Sequence, residues 1–211
     1  MKSKGIFVTG TDTDVGKTWV SVRLVRELRC RGVDAVGMKP IECGGYEDSQ
    51  ALLEASGTPG LTLEDINPVH FPEPLAPAAA SEPVEIDFEK LKQKFERLTA
   101  QHDFVVVEGA GGWLVPIDES RTVADLAAHF ALPVLVVAAN RLGVLNHTLL
   151  TVGAIRTTSL SCCGVFLNQL DPDGDLSSRS NAKMLEKNLD EVPLIDQNLE
   201  QLVGLCLQSI Q

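Results

Sequence analysis

The sequence predicts an α/β fold, a mostly parallel sheet flanked by helices. Three observations carry this. Short apolar runs recur along the chain, helix-period segments separate them, and a glycine-rich turn joins the first run to the first helix. Ile6–Val8, Ala35–Met38, Phe104–Val107, Pro133–Ala138 and Gly164–Leu167 are brief and apolar on both faces, as buried parallel strands are. Between them, Lys17–Arg31 places Val20, Leu24, Val25 and Leu28 on one helical face. Phe88–Gln101 repeats Phe88, Leu91, Phe95 and Leu98 at spacings of three and four. Thr122–Phe130 opens on an N-cap residue followed by an acid, and a further helix is expected after Asn146. Alternating strands and helices imply right-handed crossovers.

Two segments break the rhythm. Asn67–Glu85 holds five prolines and the run Ala78–Ala80, and reads as a long surface or active-site loop. Asp171–Ser180 reads as a turn-rich crossover. With 211 residues, no internal repeat and no dividing linker, residues 1–211 are expected to form a single domain.

Charge and cysteine usage exclude several functions. Against 29 acids stand 18 lysines and arginines, a net charge of −11 with no basic cluster, so nucleic acid is not expected as a partner. No apolar stretch approaches the ~18 residues a membrane span needs, and residues 1–14 turn polar too early for a signal peptide. The five cysteines, Cys30, Cys43, Cys162, Cys163 and Cys206, lack metal-binding spacing, which points to a reducing, cytoplasmic location. Four scattered histidines offer no paired metal ligands.

The chemistry concentrates where the first strand meets the first helix, in Gly10-Thr-Asp-Thr-Asp-Val-Gly16-Lys17-Thr18. Strand, glycine loop and helix together are the context a phosphate-binding loop needs. Backbone N–H groups wrap the phosphates and the helix N-terminus adds favourable potential. Lys17 is placed to reach the β- and γ-phosphates and Thr18 to bind Mg²⁺. Gly10 lies one residue earlier than the usual spacing, and Asp12 and Asp14 are expected to face away from the phosphates.

A second apolar strand ends in Glu108, followed by Gly109-Ala110-Gly111-Gly112. It delivers a carboxylate to the sheet edge that carries Lys17, as a cation ligand or as a cap for the next element. Lys39, before Pro40 at the end of the second strand, is a candidate for stabilising anionic charge on that edge. Asp48 opens a helical segment and reads equally as its N-cap or as a third Mg²⁺ ligand.

Together GTDTDVGKT, KPIECG, EGAGGWLVPI and RLGVLNH resemble the dethiobiotin synthetase family, in the right order from residue 5 to about 170 and more weakly to 200. The resemblance implies a phosphate-loop NTPase architecture, usually a homodimer. It implies an ATP- and Mg²⁺-dependent ligase that makes a cyclic urea from 7,8-diaminononanoate and CO₂ or bicarbonate. It places Asp14, Val15, Gly16, Lys17, Thr18 and Trp19 around ATP, with Thr18, Asp48 and Glu108 around Mg²⁺. Glu108, Gly109, Ala110 and Gly111 also border the nucleotide. Asn168 matches the residue that reads adenine, Pro193, Leu194 and Ile195 the loop over the base, and Glu200 a further nucleotide contact. Lys39 matches the catalytic lysine. Thr11, Cys43, Gly143, Val144 and Asn146 fall at the diamine, the last three at its carboxylate. Cys43 stands where a Ser or Thr is frequent, and Asp190 where a glycine is usual.

Physically, Lys39 and Lys17 would offset the charge of a carbamate, while Asp12 would attract or deprotonate an amine. Trp113, Leu114 and Val115 are expected to give apolar surface to the substrate chain or to a dimer. The alternative on this fold is a regulatory or partitioning ATPase acting as a nucleotide-dependent dimer switch. Such proteins usually carry an extra lysine early in the loop, which this chain lacks. Its last segment, Leu199–Ile210, has no Lys or Arg for a membrane surface.

Overall fold

The computed structural model describes residues 4–80 and 85–210. Residues 81–84 of the expected Asn67–Glu85 loop, and residues 1–3, lie outside the described residues. Six strands form one parallel sheet: β1 (Gly5–Gly10), β2 (Ala35–Met38), β5 (Phe104–Gly112), β6 (Val134–Ala139), β7 (Cys162–Asn168) and β8 (Leu194–Asp196). Their spatial order is β2-β5-β1-β6-β7-β8. The chain passes from β5 to β6 across β1, so the topological switch point falls at the end of β1, where sheets of this kind bind ligands.

Side chains alternate across β1. Phe7 joins the core under α4 (Phe88–Gln101), α5 (Val123–Phe130), α6 (Val144–Arg156) and α7 (Ser178–Asn188). Ile6 and Val8 join the opposite core, with α1 (Lys17–Cys30) and α8 (Leu199–Ile210). Both faces of the sheet are thus covered, as doubly apolar strands require. α5 starts on a capping box, Thr122 with Asp125.

Several expectations are corrected. The apolar run at Phe104 does not stop at Glu108 but continues to Gly112, because Gly10 pairs with Gly112 and extends the ladder. The expected long loop contains β4 (Val69–Phe71), paired in parallel with β3 (Ile41–Cys43), and a short 3₁₀ turn at Pro77–Ala79. α7 begins inside the expected Asp171–Ser180 crossover, at Ser178. α6 begins at Val144, before Asn146, with Gly143 at φ 94° as its N-cap. α2 (Glu47–Ser56) is capped at Tyr46, so Asp48 sits inside the first turn and is not the N-cap. The short helix α3 (Leu63–Ile66) completes the set of elements.

Gly37 in β2 is needed for a close approach. A Cβ there would stand 2.7 Å from Cδ2 and 2.8 Å from Cβ of Leu52 on α2. Gly37→Ala is therefore expected to destabilise by ~1–3 kcal/mol through overpacking. Thermal unfolding should show a melting point lower by ~2–4 °C for each kcal/mol lost in a chain of this size.

Candidate active site

The loop after β1 is built to hold an anion. Gly16, at φ 89°, turns the chain into α1 with no capping side chain, and the first turn of α1 carries no acid. Its free N–H groups and its positive dipole end therefore face the cleft without local competition. A Cβ at Gly16 would lie 2.2 Å from Asn168 Nδ2, so only glycine fits. Lys17 is buried, and its ammonium donates to the Asp12 carbonyl at 3.2 Å, folded along the loop. Burial, and then the charge of Lys39, lower its pKa below the ordinary lysine value. The negative charge of an arriving phosphate would oppose both effects.

Sheet register makes the second half of the site. Met38 pairs with Val107, so the next residues, Lys39 and Glu108, emerge side by side. Lys39 Nζ donates to Glu108 Oε1 at 2.6 Å and to Asp48 Oδ2 at 2.7 Å, and Thr18 Oγ1 donates to Glu108 Oε1 at 2.8 Å. Burial lowers the Lys39 pKa, but the Glu108 and Asp48 carboxylates outweigh it and raise it above the ordinary lysine value. Burial likewise opposes ionisation of Asp48, and the Lys39 ammonium more than compensates. Lys17, Thr18, Lys39, Asp48, Ala110 and Gly111 all line one cleft of about 600 Å³.

The donor set fits a magnesium ion bound together with a phosphate. Glu108 is fully buried, and its Oε2 has no hydrogen-bond partner among the described residues. A buried carboxylate oxygen left bare beside a threonine hydroxyl and a second carboxylate suits a hard cation. No group of three His, Cys, Asp or Glu side chains clusters for a metal among the described residues. Such a seat therefore needs the Thr18 hydroxyl and phosphate oxygens to complete it, as magnesium sites commonly do.

Other sequence-predicted residues are placed as follows. Asp14, expected to face away from the phosphates, instead lines the same cleft at φ 56°, and the Val15 side chain is buried in the core beneath it. Asp12 turns outward, where Arg141 faces it at 3.4 Å. Thr11 lies beside it, at a neighbouring groove. Cys43 forms part of the cleft wall, its thiol pKa raised by burial. Trp19 is half exposed on α1, with the Arg23 guanidinium 4.8 Å from its ring. Gly143 and Asn146 are exposed at the start of α6, whereas Val144 is buried. Gly109 is buried, and its carbonyl lies 3.4 Å from Lys39 Nζ.

Pro193 and Leu194 are partly exposed, but Ile195 is buried in the core, so its side chain cannot meet a ligand. Glu200 is ion-paired with Arg31 beyond the C-terminal end of α1 and is not brought into the cleft. Trp113, expected on the surface, is also buried.

Sequence reasoning missed two participants. Arg141, which opens the RLGVLNH motif, faces Asp12 across a separation of more than a hundred residues, a pairing that neither segment announces. Glu42 is buried in the cleft wall and caps α2. An acid inside the apolar triplet Ile41-Glu42-Cys43 was the available signal.

Asn168 braces the loop directly, its Nδ2 donating to the Val15 carbonyl at 3.0 Å. Asn168→Ala removes that brace and leaves a buried carbonyl unpaired, a loss of ~1–3 kcal/mol. Nucleotide affinity, read by titrating the intrinsic tryptophan fluorescence, is expected to fall roughly tenfold or more.

Comparisons with known proteins give the family and the fold. A family profile described as an AAA domain matches residues 4–198. The chain is similar to the ATP-dependent dethiobiotin synthetase BioD of Akkermansia muciniphila, 43% identical over 87% of each chain. The BioD of Anaeromyxobacter dehalogenans is 48% identical over 90% of this chain and 88% of its own. Among solved structures, the signal recognition particle receptor FtsY of Elizabethkingia anophelis aligns with a TM-score of 0.59 at 14% identity, over 100% of this chain and 66% of its own. A ParA family ATPase of Chlorobium tepidum gives 0.53 at 16% identity, over 99% and 92%. At such identities the structural likenesses speak for the fold alone, whereas the BioD relatives are similar along nearly the whole sequence. The chain belongs to the ATP-dependent dethiobiotin synthetase family.

Proposed function

We propose that residues 1–211 form one ATP-dependent ligase domain that carboxylates 7,8-diaminononanoate with CO₂ and closes it to dethiobiotin. The observation that carries this is the Lys39 ammonium, buried between Glu108 and Asp48 at the head of a phosphate-type loop. A switch ATPase on this fold carries its extra lysine early in the phosphate loop, whereas here the second cation comes from the end of β2. A reaction that builds an anion beside a triphosphate needs a fixed cation there.

An amine and CO₂ give a carbamate, which water readily reverses. The Lys39 and Lys17 side chains are fixed where that anion and the phosphates would meet, so the charge is met by groups already oriented. The carbamate oxygen attacks the terminal phosphorus, forming a mixed carbamic–phosphoric anhydride and ADP. The second amine then attacks the activated carbonyl, and phosphate leaves as the ureido ring closes. Both amines belong to one held molecule, so ring closure is intramolecular. Asp12 would receive an ammonium proton or orient the amine once Arg141 is displaced from it.

Thr18, Asp48 and Glu108 would hold Mg²⁺, which when bound neutralises charge on the phosphates. Asn168, with Pro193 and Leu194, is assigned to the base. Cys43 and Thr11 are assigned to the diamine, and the start of α6 to its carboxylate.

A homodimer and a cytoplasmic location complete the reading. Leu114 (64% exposed), Leu142 (81%) and Leu150 (65%) are large apolar side chains left in water, which a second copy would cover. Among the described residues no helix is long and apolar enough to cross a membrane. Mass spectrometry of the product made from the diamine, carbon-labelled bicarbonate and MgATP tests the function. Label in a cyclic urea is expected, and ATP hydrolysis without that product would refute it.

A further inference from the structure

We propose that Glu42 is a positioning residue for this reaction. From the cleft wall it holds the first turn of α2, and so fixes the Asp48 carboxylate against Lys39 and toward the cation seat. The inference rests on the ligase reading of the cleft.

Glu42 is only 4% exposed. Its Oε1 accepts from the Asp48 N–H at 2.9 Å, and both of its carboxylate oxygens lie 3.3 Å from the Ser49 N–H. These are amides that the helix cannot satisfy internally, and the N-cap residue, Tyr46, makes no side-chain cap of its own. A helix needing only a cap would take Ser, Asp or Asn at that position. Here the cap comes from another element, β3, and it grips the residue whose side chain meets Lys39.

The intervening loop contains Gly44, at φ 94°, and Gly45, and the Gly44 N–H donates to the Phe71 carbonyl at 2.9 Å. It is held from its other side as well. His70 Nε2 lies 2.8 Å from the Gly44 carbonyl, and the His70 ring stacks on Tyr46 at 3.8 Å. Glu42 and His70 therefore pin both ends of the segment that presents Asp48. Burial raises the Glu42 pKa, opposed by hydrogen bonds from Ser49 and the charge of Lys39.

The test compares the full-length protein with Glu42→Ala, Glu42→Gln and Glu42→Asp. Amide hydrogen exchange at Asp48 and Ser49, measured without nucleotide or metal, is expected to accelerate roughly tenfold in Glu42→Ala, with α1 unchanged. In the assay the magnesium concentration for half-maximal rate should rise by a similar factor, about tenfold, at an unaltered KM for the diamine. Glu42→Gln should restore most of both, because its amide oxygen accepts the same N–H groups.

Unchanged exchange or unchanged magnesium dependence in Glu42→Ala would overturn the proposal. So would a Gln variant as impaired as Ala, which would mean the charge acts directly, or a rise confined to the KM for the diamine. If Glu42→Ala does not fold, Glu42→Asp decides: its carboxylate stops one methylene short, and wild-type behaviour there refutes the role. A wild-type protein that forms no ring from the diamine and bicarbonate would fail the functional reading instead, leaving the exchange data to decide the cap.

Discussion

Lys39→Ala is expected to slow ring formation by at least ~10²–10³-fold, the scale of losing a preorganised charge at a reacting anion. Nucleotide affinity should fall far less, because Lys17 and the amides at the start of α1 remain to bind the phosphates. The variant should therefore bind nucleotide, seen by tryptophan fluorescence, while making almost no product. Stability will also drop. Glu108 is fully buried and would lose the ammonium with which it is ion-paired, which costs roughly 3–5 kcal/mol. Retained nucleotide binding at temperatures below the lowered melting point separates the chemical effect from the structural one. Equal losses of binding and turnover would show that Lys39 serves the fold alone.

Glu108→Gln carries the second large effect. The substitution conserves shape, and its amide oxygen can still accept from Thr18 and Lys39, so the local packing survives. Its charge is gone, and with it the bare carboxylate oxygen offered to a cation. Half-saturation by magnesium is expected to rise about a hundredfold, with kcat/KM falling by ~10² at a fixed low magnesium concentration. Excess magnesium should recover part of that rate. A variant whose magnesium requirement is unaltered would remove Glu108 from the cation seat.

The parts of the molecule legible in the sequence are those governed by local rules. Strands β1, β2, β6 and β7 and helices α1, α4 and α5 show the apolar periods that their burial demands. The phosphate loop declares itself because glycine, lysine and threonine are required at fixed offsets there. Lys39 and Glu108 were readable as ends of strands. Their meeting was not, since the pairing of Met38 with Val107 is a property of register and not of either segment.

β3 and β4 are not legible in the sequence, because three residues between prolines and glycines carry no period. They exist only because each pairs with the other. β8 is equally short and is held by pairing with β7. Asp48 illustrates the limit best. Its sequence context permitted a cap or a ligand, and only the fold shows that Glu42 already does the capping, leaving its carboxylate free for Lys39.

The most direct test follows one oxygen atom. If the carbamate formed beside Lys39 attacks the terminal phosphorus, an oxygen from CO₂ must leave with the phosphate. A brief turnover with diamine, ATP and heavy-oxygen-labelled bicarbonate, stopped before exchange with water, should yield phosphate carrying one labelled oxygen. Phosphate without label, or released at the same rate when the diamine is omitted, would contradict the account.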